Sequence, residues 1–145
     1  MLTTDQKGSI AEAAVAYEAV KLGIGVFRPI SDGEHYDLIF DVSGRLLRVQ
    51  CKWAARQGDV VAVRCYSCRR TADGLTRRTY TSSEVDAFAA HCPELERCFF
   101  LPFERFPQHR QIQLRLAPAR NNQQQGIHWA DEYDFRRLDW NALGP

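Results

Sequence analysis

Residues 36–53 read Tyr-Asp-Leu-Ile-Phe-Asp-Val-Ser-Gly-Arg-Leu-Leu-Arg-Val-Gln-Cys-Lys-Trp, and this stretch decides the fold. Two β-rich runs, Tyr36 to Val42 and Arg45 to Trp53, stand on either side of Ser43-Gly44. So short a separation predicts an antiparallel hairpin on a tight turn. Alternation along the second run puts Gln50 and Lys52 on one face, and a short hairpin register brings that face against Asp37. An acid, an amide and an amine at adjoining strand positions make a poor core, because polar groups buried without partners are costly.

Upstream, Thr4 is expected to cap a helix running to about Leu22, with Gly23 as its stop. Ile10, Ala14, Tyr17 and Lys21, with Ala13 and Val20 beside them, give the helical spacing of a partly apolar face. Ile24 to Ile30 reads as a short strand ending near Pro29. Downstream, Val60 to Tyr66 and Arg77 to Thr81 read as strands around a turn at Ala72-Asp73-Gly74. Ser82 or Ser83 is placed to cap a second helix through about His91, with Val85, Phe88 and Ala89 inward. Arg97 to Phe103 and Ile112 to Ala117 read as strands, Asn121 to Gln125 as a polar turn, and Trp129 to Phe135 as a short helix. The tail to Pro145 is expected to be loose. The order predicts an α/β fold with a mixed β-sheet flanked by helices. With no repeat and no long linker, residues 1–145 are expected to form one domain.

The chain has 145 residues, of which 45% are hydrophobic and 26% charged, as in ordinary folded proteins. No basic segment followed by an apolar one marks a secretory signal, and no apolar run approaches the roughly 20 residues needed to span a bilayer. The expectation is a cytoplasmic protein with no membrane partner. Cys51, Cys65, Cys68, Cys92 and Cys98 are read as free thiols. The alternative joins Cys65-x2-Cys68 and Cys92-x5-Cys98 as four zinc ligands, against which the second spacing is long and stiffened by Pro93. The net charge of +1 says little about partners, but only Lys7, Lys21 and Lys52 among the 19 basic residues are lysines. Arginine suits bidentate contacts to phosphate and guanine. Arg69-Arg70 and Arg77-Arg78 flank the turn at Gly74, and Arg105, Arg110, Arg115 and Arg120 follow. The plain alternative is a set of solvated loop and strand faces.

Glu12 sits inside the first helix, and its neighbours Gly8, Ser9, Val15 and Ala16 offer no counter-charge, whereas Glu18 has Lys21 three residues on. Taken singly, Glu12 reads as an exposed helix residue and Asp37 with Lys52 as an edge-strand salt bridge. Taken together they have the parts of a metal-dependent phosphodiesterase. Such an enzyme needs oxygen ligands for a hard cation, a group that positions water, and a positive charge against the developing phosphorane. The carbonyl oxygen of the Gln50 side chain can serve as neutral ligand or water-positioner.

The spacing Lys7-Gly8-x3-Glu12, then Asp37, then Gln50-x-Lys52 resembles the PD-(D/E)XK nuclease signature. The helical glutamate ahead of it is similar to that of Holliday-junction resolvases and of nucleases encoded in group I introns. The resemblance to the intron-associated group extends over Val63 to Thr81, Tyr80-Thr81-Ser82-Ser83-Glu84-Val85-Asp86 and Cys98-Phe99-Phe100-Leu101-Pro102. It continues from Leu114-Arg115-Leu116 through Asn121-Asn122-Gln123 to Ile127-x-Trp129-Ala130. The resemblance implies a restriction-endonuclease-like core and Mg²⁺-assisted hydrolysis of double-stranded DNA. By position, Glu12 and Asp37 are the implied metal ligands, with the backbone carbonyl of Cys51 as a third. Lys52 is implied to orient the attacking water or to neutralise the scissile phosphate. Gln50 holds a slot usually filled by Asp or Glu, which removes one negative charge, although glutamine is familiar there in the intron-associated group. Asp41 has the strand parity of Asp37 but lies too far along, and is left out.

Resemblance and charge pattern agree on the hairpin around residues 63–81, with Arg69, Arg70, Arg77 and Arg78, as the DNA-contacting element. Asn121, Asn122 and Gln123 carry amides suited to adenine edges, in a C-terminal extension from about residue 104. The expectation is a site-specific homing-type endonuclease acting as a homodimer or homotetramer. The rivals are a junction resolvase or repair nuclease of the same fold, a catalytically silent DNA-binding module, and a zinc-stabilised interaction domain.

Overall fold

The computed structural model describes residues 1–107, 110–121 and 125–143, and for residues 68–70 the backbone alone. Helix α1 (Thr4–Lys21) precedes strands β1 (Gly25–Phe27), β2 (Leu38–Val42), β3 (Arg45–Trp53), β4 (Ala55–Gln57) and β5 (Val60–Arg64). Then come β6 (Tyr66–Thr71), β7 (Gly74–Thr79), β8 (Ala87–Cys92), β9 (Arg97–Pro102), β10 (Gln111–Arg115) and β11 (His128–Trp129). A five-stranded mixed sheet has the order β1-β2-β3-β8-β9, a four-stranded sheet the order β11-β10-β5-β4, and β6-β7 form a separate hairpin. No helix among the described residues is long and apolar enough to cross a membrane.

The β2-β3 hairpin has the expected register, with Leu38 opposite Val49 and Val42 opposite Arg45. Ser43 and Gly44 have φ of 52° and 92°, the positive pair that a two-residue hairpin turn matching the strand twist requires. Asp41 belongs to this turn, its carboxylate accepting the Gly44 N–H at 2.8 Å.

The five-stranded sheet separates two cores. Val15 and Ala19 of α1 pack with Leu38, Phe40, Val49, Cys51, Ala87, Ala89 and Phe100 on one side. On the other side Phe88, Ala90 and Leu101 meet Val61, Val63, Ile112 and Leu114 of the second sheet. The segment expected to be a second helix therefore contains a central strand, β8, buried on both faces between β3 and β9. Its run Ala-Phe-Ala-Ala-His-Cys is the short apolar kind that periodicity cannot assign, and burial between two strands decides it. The turn before it is held by Arg48, whose guanidinium takes the carbonyls of Ser82 and Ser83 and both carboxylate oxygens of Asp86. Among the described residues the sheet is thus flanked by a single α-helix and by a second sheet.

Helix α1 is capped by Thr3, one residue earlier than expected, in a reciprocal box with Gln6. Its buried face is Ala11, Val15 and Ala19, whereas Ile10, Tyr17 and Val20 are exposed. The surface beneath is lined by Ala87, Ala89 and Cys51, and small side chains on both partners let helix and sheet approach closely. Rotating the helix this way puts Glu12 beside the buried row.

The C-terminal part is ordered by packing. The backbones of Tyr133 and Phe135 bond to Phe100 and Cys98 along the outer edge of β9, and Arg97 pairs with Asp131 and Asp134 at 2.7 Å each. The segment Trp129 to Phe135 is a 3-10 turn (Ala130–Glu132) followed by this edge pairing, which protects an otherwise open strand. Trp140 lies 4.9 Å from the Phe100 ring and 5.1 Å from that of Phe135. Its indole N–H donates to the Phe135 carbonyl at 2.9 Å. The tail is therefore part of the core through Leu143. Strand β10 pairs along the whole of β5, so residues beyond 104 supply two strands of the second sheet.

Candidate active site

Beyond Leu38, β2 ends while β3 continues to Trp53 against β8. Asp37 stands at this fork. Its N–H still bonds to the Val49 carbonyl at 2.9 Å, and its carboxylate accepts the Cys51 N–H at 2.9 Å, taking the place of a further strand residue. A strand residue directs its N–H and C=O toward the same neighbour, so the Cys51 carbonyl faces the same open edge. One step along the β2-β3 register sets Asp37 opposite Gln50.

Gln50 and Lys52 are half-buried and share the face turned toward Phe88 and Ala90. The Lys52 ammonium is 3.4 Å from the Tyr66 carbonyl oxygen and 5.0 Å from the centre of the Tyr80 ring, a cation–π distance. Tyr80 is itself fixed edge-on against Phe88 at 5.5 Å, and burial pushes its hydroxyl up to about 12.

Glu12 reaches the fork from α1. Its pKa is raised, first by burial and then by the charge of Asp37, with Arg28 working the other way. Asp37 is raised by burial against the opposing Cys51 N–H and Lys52. Burial and both carboxylates push the Cys51 thiol well up. A carboxylate raised by burial and by the charge of a second carboxylate, itself raised by burial, is an arrangement that a cation relieves. A cleft lined by Glu12, Arg28, Ser31, Asp32, Glu34 and Asp37 opens there. Among the described residues no three His, Cys, Asp or Glu side chains cluster to hold a metal unaided. Two carboxylates and a carbonyl suit Mg²⁺, which commonly takes one or two carboxylates and keeps its waters.

All four expected catalytic residues therefore meet at one fork. Sequence reasoning missed Arg28, the counter-charge of Glu12 at 3.2 Å, since it comes from the loop after β1 and not from the helix. It also missed Tyr80 as the seat of Lys52. Glu84, expected inside a helix, is buried and receives Arg78 at 2.5 Å, His35 at 3.0 Å and the Thr81 N–H at 3.0 Å. Burial works to raise Glu84, but Arg78 and Thr81 outweigh it and hold the carboxyl below its ordinary value.

The expected DNA-contacting residues are dispersed. Arg77 stacks over the Tyr66 ring at 4.9 Å, while Arg78, on the opposite face of β7, is held by Glu84. Arg69 and Arg70 stand beside Thr76 and Leu75 in the hairpin, their side chains lying outside the described residues. Asn121 is exposed beside Arg120, and Asn122 and Gln123 lie outside the described residues. Cys51, Cys65, Cys92 and Cys98 are buried free thiols. Cys65 and Cys92 belong to one core and Cys98 to the other, so the sheet itself separates ligands of the four-cysteine zinc alternative.

No curated protein matches the chain. A solved structure of a bacterial homing endonuclease, I-Ssp6803I, superposes with a TM-score of 0.77 at 28% identity, covering 98% of this chain and 93% of that one. The sequence matches the PD-(D/E)XK endonuclease family over residues 2–136. A match spanning α1, the fork and both sheets means that the chain belongs to the PD-(D/E)XK endonuclease family and is a nuclease.

Proposed function

We propose that this chain is a site-specific homing-type endonuclease that hydrolyses phosphodiester bonds of double-stranded DNA with Mg²⁺. The observation that carries the reading is the fork, where Asp37, Glu12 and the Cys51 carbonyl edge converge beside a seated Lys52. The likeness to a bacterial homing endonuclease over nearly the whole of both chains supports the homing type. Glu12, Asp37 and the Cys51 carbonyl would hold the Mg²⁺, which supplies charge neutralisation and a water of lowered pKa when bound. Lys52 is anchored by a carbonyl and a ring, so its charge is fixed where negative charge develops on the phosphate. The Gln50 amide positions water without adding charge. Arg69, Arg70 and Arg77 on the β6-β7 ribbon, with Asn121, Asn122 and Gln123, contact the DNA. Each chain has one such site, so a double-strand break takes at least two copies, as a homodimer or homotetramer.

The test is incubation with a supercoiled plasmid library of random inserts, in Mg²⁺ or EDTA, beside Asp37→Asn and Lys52→Ala. Mg²⁺-dependent cutting at one common long site, absent in both variants, is the expected result. Cutting only of branched junctions points to a resolvase. Duplex binding without any cutting points to a silent DNA-binding fold.

A further inference from the structure

We propose that Arg28 is a phosphate-binding residue of this site, which holds the metal's place on Glu12 until the cation arrives and then turns to the DNA backbone. The proposal rests on the metal-dependent nuclease reading above. Arg28 follows β1, and its Nε lies 3.2 Å from Glu12 Oε1 on the wall of the cleft that Asp37 also lines. The Arg28 side chain is 64% exposed and that of Glu12 28%. An ion pair so open to water is weak and readily exchanged. Among the described residues the cleft has carboxylates at Glu12, Asp32, Glu34 and Asp37 but one cation on its wall, while Lys52 is seated on Tyr66 and Tyr80. A divalent ion balances the charges of Glu12 and Asp37 and removes the attraction that binds Arg28 there. The guanidinium is then left at the mouth of the cleft, where its planar fork matches two oxygens of a phosphodiester.

The experiment uses the full chain, Arg28→Gln and Arg28→Lys. Thermal unfolding is followed against MgCl₂ without DNA. In Arg28→Gln the Mg²⁺ concentration that gives a set rise in Tm over the metal-free protein falls about two- to fivefold, the worth of an exposed ion pair, and Arg28→Lys stays near the parent. A merely structural arginine would not tighten metal binding when removed. The affinity for a mixed-sequence duplex is then measured in CaCl₂ and in EDTA. The parent and Arg28→Gln bind alike in EDTA, and the gain brought by Ca²⁺ is smaller in the variant by about tenfold, one charge-assisted contact. A normal parent response with the same Mg²⁺ concentration needed for that rise in Arg28→Gln overturns the proposal. An unchanged Ca²⁺-linked gain overturns the phosphate role. A parent that does not respond to Mg²⁺ at all strikes the metal reading itself.

Discussion

Replacing Asp37 with Asn separates a metal site from a structural ion pair. The Asn side-chain oxygen can still accept the Cys51 N–H that Asp37 accepts at 2.9 Å, so the fork keeps its shape and loses one charge. Burial raises the Asp37 pKa, and the Asp37 charge raises that of Glu12. In EDTA at neutral pH the variant is therefore expected to be at least as stable as the parent. The cation reverses this order. At Mg²⁺ a hundred times its dissociation constant, binding to the folded state alone adds about 2.7 kcal/mol. For a chain of 145 residues, at roughly 3 °C per kcal/mol, that raises Tm by about 8 °C. Loss of a group that only orients a ligand weakens a metal about 10- to 100-fold, so loss of a ligand costs at least that much. A hundredfold weakening leaves RT ln 2, about 0.4 kcal/mol or about 1 °C, at the same concentration. Differential scanning of both proteins with EDTA and with MgCl₂ reads both halves. An Asp37→Asn protein several degrees less stable than the parent in EDTA, or one keeping the full Mg²⁺ shift, would refute the reasoning.

Three further outcomes are expected. Trp140→Ala removes a partly buried indole from the Phe100 and Phe135 rings together with its bond to the Phe135 carbonyl. It should cost about 3 kcal/mol by urea denaturation. Glu84 and Asp86 are held below their ordinary values by Arg78 with Thr81 and by Arg48, against burial. A carboxyl lowered by folding stabilises above its unfolded pKa, and that contribution is lost as pH falls through the folded one. Glu12 and Asp37, raised, have the opposite sign, so their strain is relieved as pH falls. Metal-free protein should thus lose stability in acid below the ordinary carboxylate range, and Glu84→Gln should flatten that limb of a Tm-against-pH curve. Arg77→Ala should lower the log–log salt slope of duplex binding by about 1, whereas Arg78→Ala, by uncoupling Glu84, should lower Tm instead.

The hairpin of residues 36–53 was legible because its information is local. A two-residue turn with positive φ fixes the register, and the register fixes which side chains face Asp37. Glu12 taken singly read as an exposed helix residue, and only its place ahead of Asp37 and Gln50-x-Lys52 in the resemblance marked it out. By itself the sequence carried the β2-β3 hairpin and, through its likeness to the PD-(D/E)XK signature, the nuclease class. It did not determine what lies beside them across the chain. The run Ala87–Cys92 suits a helix as well as a strand until β3 and β9 take both its edges. Ile10, Tyr17 and Val20 yield the helix's inner face to Ala11, Val15 and Ala19 only because Ala87 and Ala89 lie beneath. Arg28 reaches Glu12, Tyr80 seats Lys52, Arg78 is drawn from the hairpin to Glu84, and Trp140 pins the tail, all across separations that no local spacing encodes. Such pairings depend on which surfaces burial brings together, and only the tertiary structure decides that.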